Sequence, residues 1–166
     1  MDKGTVKEKP IVSPAFTDER PEMEDRVVSI DRISRTVKGG RRIRFRALVV
    51  IGDRNGHVGL GVAKAGDVQT AIAKAKNKAN KIKILVPIVK DSIAHEVTQV
   101  FGTTKVILKP ARAGHSIIAG GPVRAVVELA GIKNIVSKSL GSSNALNSAM
   151  ATYLALKQLK PIKADA

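Results

Sequence analysis

Arg42, Arg44 and Arg46 alternate with Ile43, Phe45 and Ala47. A period of two is that of a β-strand, so the three arginines share one face while Ile43, Phe45 and Ala47 point to a core on the other. Three guanidiniums in a row can neutralise successive phosphates. The surrounding charge supports that chemistry. Arg26 to Lys90 holds sixteen Lys and Arg against three acids, a net of +13 in a chain of net +15. Residues 1–25 carry a net −3 and residues 91–166 a net +5. So strong and local a field suits a polyphosphate partner, with a merely solvated basic surface as the alternative. The candidate contacts in this segment are Arg32, Arg35, Arg42, Arg44, Arg46, Arg54 and Lys64.

Other chemistries are approached and missed. Gly61-x-x-x-x-Gly66 has the glycine spacing of a phosphate loop, but Asp67-Val68 stands where Lys-Ser/Thr must touch phosphate and magnesium. Gly59-x-Gly61 lacks the third glycine of a dinucleotide fingerprint, because Lys64 occupies it. His95-Glu96 has Gln99 in place of the second histidine of a zinc protease. Gly114-His115-Ser116 opens a nucleophile elbow that Ile118 fails to close. His57, His95 and His115 are read as surface or loop residues, and no catalytic residue, metal ligand or cofactor is expected.

Composition narrows the partner. Aromatic residues make up 2% of the chain, which leaves no platform for stacking splayed bases. Recognition must then use phosphate, ribose and groove shape, favouring structured RNA or duplex. Cysteine is absent, so there is neither a disulfide nor a thiolate site. The N-terminus has no apolar signal core, and no apolar run approaches the ~20 residues of a membrane span. A soluble cytoplasmic protein is expected.

The elements that must position the arginines follow from periodicity. Residues 1–25, with Pro10, Pro14 and Pro21 and no hydrophobic period, read as a mobile tail. A first strand over Val27–Val37 meets a turn at Lys38–Arg41. The arginine strand runs on to Ile51, and Asn55-Gly56 turns it into a partner over His57–Ala63. Asp67 suits an N-cap for a helix that buries Val68, Ile72, Ala75, Ala79 and Ile82 and turns Lys74, Lys78 and Lys81 outward. A strand over Lys83–Val89 and a linker over Pro87–His95 follow. Beyond them come strands Val97–Phe101 and Thr104–Leu108, then a glycine-rich loop over Ala113–Gly121. A helix opens at Pro122 and ends at Gly131, and a short strand spans Ile132–Val136. Ser142 or Ser143 caps a last helix that buries Leu146, Met150, Tyr153, Leu154 and Leu159 and stops at Pro161. Charge and pattern both shift near residue 90. The expected fold is α+β in two domains, with a tail over 1–25 and domains over 26–90 and 91–166.

Gly120-Gly121 opening a helix leaves free backbone N–H groups, either an anion site or a tight packing turn. Arg124 lies in that helix's first turn, where the dipole disfavours a cation. Its guanidinium is therefore expected to reach outward to a carboxylate or phosphate.

Four blocks carry a family resemblance. Ile33-Ser34-Arg35-Thr36-Val37-Lys38-Gly39-Gly40-Arg41 resembles the signature of bacterial small-subunit ribosomal protein five. Gly52-Asp53-x-Asn55-Gly56-x-Val58-Gly59-x-Gly61 resembles that family's next block. Ile117 through Ala125 resembles its C-terminal block, and Gly141-Ser142-x-Asn144 its last. The blocks fall in order across residues 26–159. The resemblance implies a double-stranded-RNA-binding-like β-β-β-α domain, then a C-terminal β-α-β-α domain with a left-handed crossover where the general rule favours a right-handed one. It further implies a non-enzymatic, structural constituent of the small (30S) subunit that binds 16S rRNA on the side where mRNA enters and supports assembly and decoding fidelity. Its implied neighbours are small-subunit proteins four and eight. On the same ground, Thr36, Lys38, Gly39, Gly40 and Arg41 form a loop reaching the neck of the subunit beside the spectinomycin site, and Gly114, Ser116, Gly120, Gly121 and Arg124 face protein four. Two departures stand out: Gly114-His115-Ser116 replaces a frequent Gly-Thr-Gly, and Ala145 a frequent proline. The rival readings are a free-standing RNA-binding or RNA-chaperone module, and a small-molecule kinase, which the missing phosphate loop and acid set disfavour.

Overall fold

A computed structural model describes residues 23–160. The expectations for a tail and for a stop at Pro161 lie outside these residues, except that Glu24 and Asp25 already belong to the first strand. Strands β1 (Glu24–Val37), β2 (Gly40–Gly52), β3 (His57–Ala65) and β4 (Ile84–Leu85) form one antiparallel sheet in that order. Helix α1 (Val68–Lys81) follows β3 and starts on Asp67, whose carboxylate accepts the Gln69 N–H at 3.1 Å. Strands β5 (Ile88–Val89) and β6 (Ser92–Ile93) make a small hairpin. The second sheet has the order β7 (Val97–Phe101), β8 (Thr104–Pro110), β10 (Ile135–Gly141), β9 (Ile117–Ile118). Its β9 and β10 run parallel and are joined through α2 (Gly121–Ala130), and α3 (Ala145–Gln158) closes the fold. The α+β class and the two-domain plan are as expected.

The first sheet is covered on both faces. Ala47, Val49 and Ile51 point to α1, which presents Ala71, Ala75 and Ala79. The expected helix stripe is thus rotated: Val68 and Ile72 are half-buried and Ile82 is exposed. The cause lies on β3. A methyl group at Gly59 or Gly61 would overlap the Ala79 or Ala75 carbonyl, so glycine opposite alanine lets helix and sheet approach closely. These are the glycines that resemble a dinucleotide turn, and their role is packing. Leu48, Val50, Val58 and Leu60 point the other way, into a core shared with Val106, Leu108, Val126 and Leu156 of the second domain.

The loop between β2 and β3 locks the two halves together. The N–H groups of Arg54 and Gly56 donate to the Leu129 and Ala130 carbonyls at 3.1 and 2.9 Å, satisfying the end of α2. Gly131 ends that helix with φ +92, and a side chain there would strike the Arg54 backbone. The loop is shaped by Asp53, whose buried carboxylate accepts from the N–H groups of Asn55 and His57 and lies 2.6 Å from His57 Nδ1. Burial alone would raise the Asp53 pKa, but these hydrogen bonds outweigh it and hold the carboxyl below the ordinary 3.8. Across the second contact, Tyr153 on α3 donates to the Ile82 carbonyl at 2.6 Å.

Several local expectations shift. Pro87 splits the strand expected over Lys83–Val89 into β4 and β5, which lie in different sheets. The expected linker is ordered, with Ser92 donating to the Asn134 carbonyl at 2.6 Å. The strand expected over Ile132–Val136 begins at Ile135 and continues to Gly141, while Ile132 is buried beyond the end of α2. Asn144, rather than a serine, caps α3 by accepting the Leu146 N–H at 3.0 Å.

Candidate nucleic-acid interface

The arginines sit on a hairpin arm. Beyond the Asp31–Arg46 pair, β1 and β2 continue for six more residues each, roughly 20 Å at strand rise, to the turn at Lys38-Gly39. Here the apolar expectation fails in part. Ala47 is fully buried and Phe45 half-buried, but Ile43 is 42% exposed, because α1 ends before the arm does. At the tip, Gly39 has φ +87 with open space around it. The turn conformation, and not internal crowding, therefore requires glycine.

Register sorts the candidate residues onto two faces. Arg35 pairs with Arg42, Ile33 with Arg44, and Asp31 with Arg46, which in turn pairs with Lys64 of β3. Opposite residues share a face, so these side chains rise from one side of the sheet. Together Arg35, Arg42, Arg44 and Lys64 line a groove of about 400 Å³ with Ile33, Ser34 and Val37. Arg32, Thr36 and Arg41 belong to the other face, and Lys38, Gly39 and Gly40 form the exposed tip.

Acids draw a boundary through the basic segment. Arg46 donates twice to Asp31, at 2.7 and 3.0 Å. Arg54 reaches Glu24 at 2.8 Å, Arg26 reaches Glu128 at 2.7 Å, and Lys76 reaches Asp25 at 2.8 Å. Among the described residues no carboxylate pairs with Arg35, Arg42, Arg44 or Lys64. Of the arginine trio, Arg42 and Arg44 therefore face the groove without a carboxylate among the described residues, and Arg46 is held by Asp31. Arg54 lies at the far end of β2 from the groove, in the interdomain loop, and is not brought together with the others.

Two of the second candidate set, Gly114 and Ser116, meet at Asn134, a residue that carries no motif in the sequence. Its side-chain oxygen accepts the N–H groups of Gly114 and Ser116, each at 3.2 Å, and its own N–H donates to Asp91 at 3.0 Å. Ser116 is held at φ +60, an unfavourable backbone for a residue with a side chain, where a glycine would sit without strain. Gly120 caps α2 without a side-chain bond, and Gly121 begins the helix. Arg124 donates from Nη2 to the Ile117 carbonyl at 2.8 Å, so a local acceptor offsets the unfavourable dipole while its other donors stay available. The arginine remains exposed on that side.

No group of three potential metal ligands occurs among the described residues, and no described helix is long and apolar enough to cross a membrane. The arrangement can hold a phosphate-rich strand against an arm.

Two family models match the chain: Ribosomal protein S5, N-terminal domain, over residues 23–88, and Ribosomal protein S5, C-terminal domain, over residues 99–166. The chain belongs to the ribosomal protein S5 family, whose members are structural, rRNA-binding constituents of the small subunit and not enzymes.

Proposed function

We propose that this chain holds 16S rRNA through the β1–β2 arm and holds neighbouring proteins through its second domain, acting as a rigid spacer between them. The observation that carries the reading is the groove of Arg35, Arg42, Arg44 and Lys64, four cations with no carboxylate partner among the described residues. The shared core and the α2-capping loop support rigidity, because they leave no free linker between arm and second domain. The working place is the ribosome in the cytoplasm. There the arm tip, Thr36 to Arg41, reaches the neck of the subunit. Gly114, Ser116, Gly120, Gly121 and Arg124 face small-subunit protein four, and protein eight is a further neighbour. By the same family logic the chain aids subunit assembly, lines the path where mRNA enters and supports decoding fidelity.

Co-sedimentation with small subunits tests the reading. Retention in high salt is expected of a built-in constituent, whereas release identifies a free-standing module held by surface charge. Fidelity is read separately: ribosomes with Arg124→Leu should show raised stop-codon readthrough at unchanged rRNA binding. Wild-type error rates with full incorporation remove the interface claim and leave the rRNA claim standing.

A further inference from the structure

Residues Arg112 to Ser116 lie between β8 and β9, and all of them are exposed, so no buried side chain of their own holds this segment in shape. Its backbone is specific nonetheless. Gly114 has φ +91 and Ser116 φ +60, and a residue with a side chain keeps the second value only where its surroundings impose it.

The imposing groups are Asn134 and its neighbour. Asn134 stands between the end of α2 and the start of β10 and is 8% exposed. Its Oδ1 accepts the N–H groups of both left-handed residues at 3.2 Å, and the Ile135 N–H donates to the Ser116 carbonyl, also at 3.2 Å. Two lone pairs meet two donors, so the oxygen is fully used. The asparagine is itself held from behind. Its N–H donates to the Asp91 carbonyl at 3.0 Å, and its carbonyl accepts the Ser92 hydroxyl at 2.6 Å. The same hydroxyl accepts the Ala111 N–H at 3.3 Å, at the root of the segment. Asp91 belongs to the turn of the β5–β6 hairpin, which is left-handed as well, with φ +49 at Lys90 and +62 at Asp91. One buried residue thus ties together two unfavourable turns that are distant in sequence.

We infer that Asn134 is the positioning residue of the Gly114–Ser116 segment. It has little surface of its own to offer a partner, yet it sets the shape in which that segment meets small-subunit protein four, and through that shape it tunes decoding accuracy. The fidelity half rests on the proposed contact with protein four; the positioning half does not.

Amide hydrogen exchange on the whole chain, read residue by residue, tests the positioning half. Asn134→Ala removes the oxygen, and the Gly114 and Ser116 amides should exchange about two- to tenfold faster while the β8–β10 ladder keeps its wild-type rates. Asn134→Asp leaves an acceptor in place and should keep both amides protected. Wild-type protection of both in folded Asn134→Ala overturns the inference. Asn134→Ser, too short to reach both donors, takes its place if the alanine variant fails to fold. Ribosomes carrying each variant at full incorporation give the second readout. Stop-codon readthrough should rise with Asn134→Ala and stay at the wild-type level with Asn134→Asp. Unchanged readthrough in Asn134→Ala beside raised readthrough in Arg124→Leu overturns the fidelity half. If Arg124→Leu is unchanged too, the contact reading has failed, and amide exchange alone decides the positioning role.

Discussion

Replacing Arg42 and Arg44 by alanine removes two of the four cations that line the groove. A bound phosphate strand that neutralises Arg35, Arg42, Arg44 and Lys64 releases about 0.7–0.9 counterion per contact, so the groove contributes a log–log salt slope of roughly −2.8 to −3.6. Between about 50 and 200 mM salt that slope amounts to roughly 50- to 150-fold in affinity. The double variant should lose about 1.4–1.8 of the slope. Arg46→Ala should behave differently, because its guanidinium already bonds Asp31 at 2.7 and 3.0 Å. It would uncover a carboxylate beside the groove without emptying a phosphate contact. Its slope should stay near that of wild type while affinity falls at every salt concentration. Filter binding of an rRNA fragment across a salt series measures both. An unchanged slope in Arg42→Ala/Arg44→Ala, or equal slope losses in that variant and Arg46→Ala, would refute the assignment of RNA to this face.

Three further outcomes follow from the packing. A chain ended at residue 90 exposes Leu48, Val50, Val58 and Leu60, each at most 2% exposed in the intact protein. At about 1.5–3 kcal/mol per side chain the loss rivals a typical domain's whole stability of about 5–15 kcal/mol, so calorimetry should find no cooperative transition. Tyr153→Phe should cost about 0.5–1.5 kcal/mol in urea unfolding through the lost bond to Ile82. Because burial raises the Tyr153 pKa above 10.0, that bond's contribution is intact below pH 10 and fades as pH rises through the folded value. Asp53→Ala works at the other end of the scale: with a folded pKa below 3.8, Asp53 stabilises above that value and ceases to do so as pH falls through its folded pKa. The variant should therefore be less stable at pH 7, and its deficit should shrink on acidification.

Features set by neighbouring residues were readable in advance. Asp67 caps α1, Pro122 opens α2 and Gly131 closes it, because each acts on backbone within one helical turn. What failed depended on a surface elsewhere in the chain. Alternation placed Ile43 on the side of Ala47, yet it cannot say where α1 stops covering that side. Periodicity runs the α1 stripe through Val68, Ile72 and Ile82, whereas contact follows Ala71, Ala75 and Ala79. The pairing of those alanines with Gly59 and Gly61 was the available signal, since small residues at helical and at strand spacing suit each other's surfaces. Asn134 gave no comparable signal. Its bonds join segments about 20 residues apart or more, and an isolated asparagine reads as a turn.

The candidate interface owes its position to one face of β2. Arg42, Arg44 and Arg46 lie on that face, and so do Leu48 and Val50, buried against the second domain. One strand thus offers cations to the groove at one end and aliphatics to the interdomain core at the other, and the change occurs where Arg46 meets Asp31. Moving the base of the arm, where Arg46 pairs with Lys64, relative to the second domain would have to break the β2–β3 ladder or open the core around Leu48. Either is expensive in a close-packed interior. A partner on the second domain is therefore held at a fixed offset from the base of the groove at Lys64. A substitution in the interdomain lock such as Gly131→Ala, which would strike the Arg54 backbone, should disturb both contacts although it touches neither.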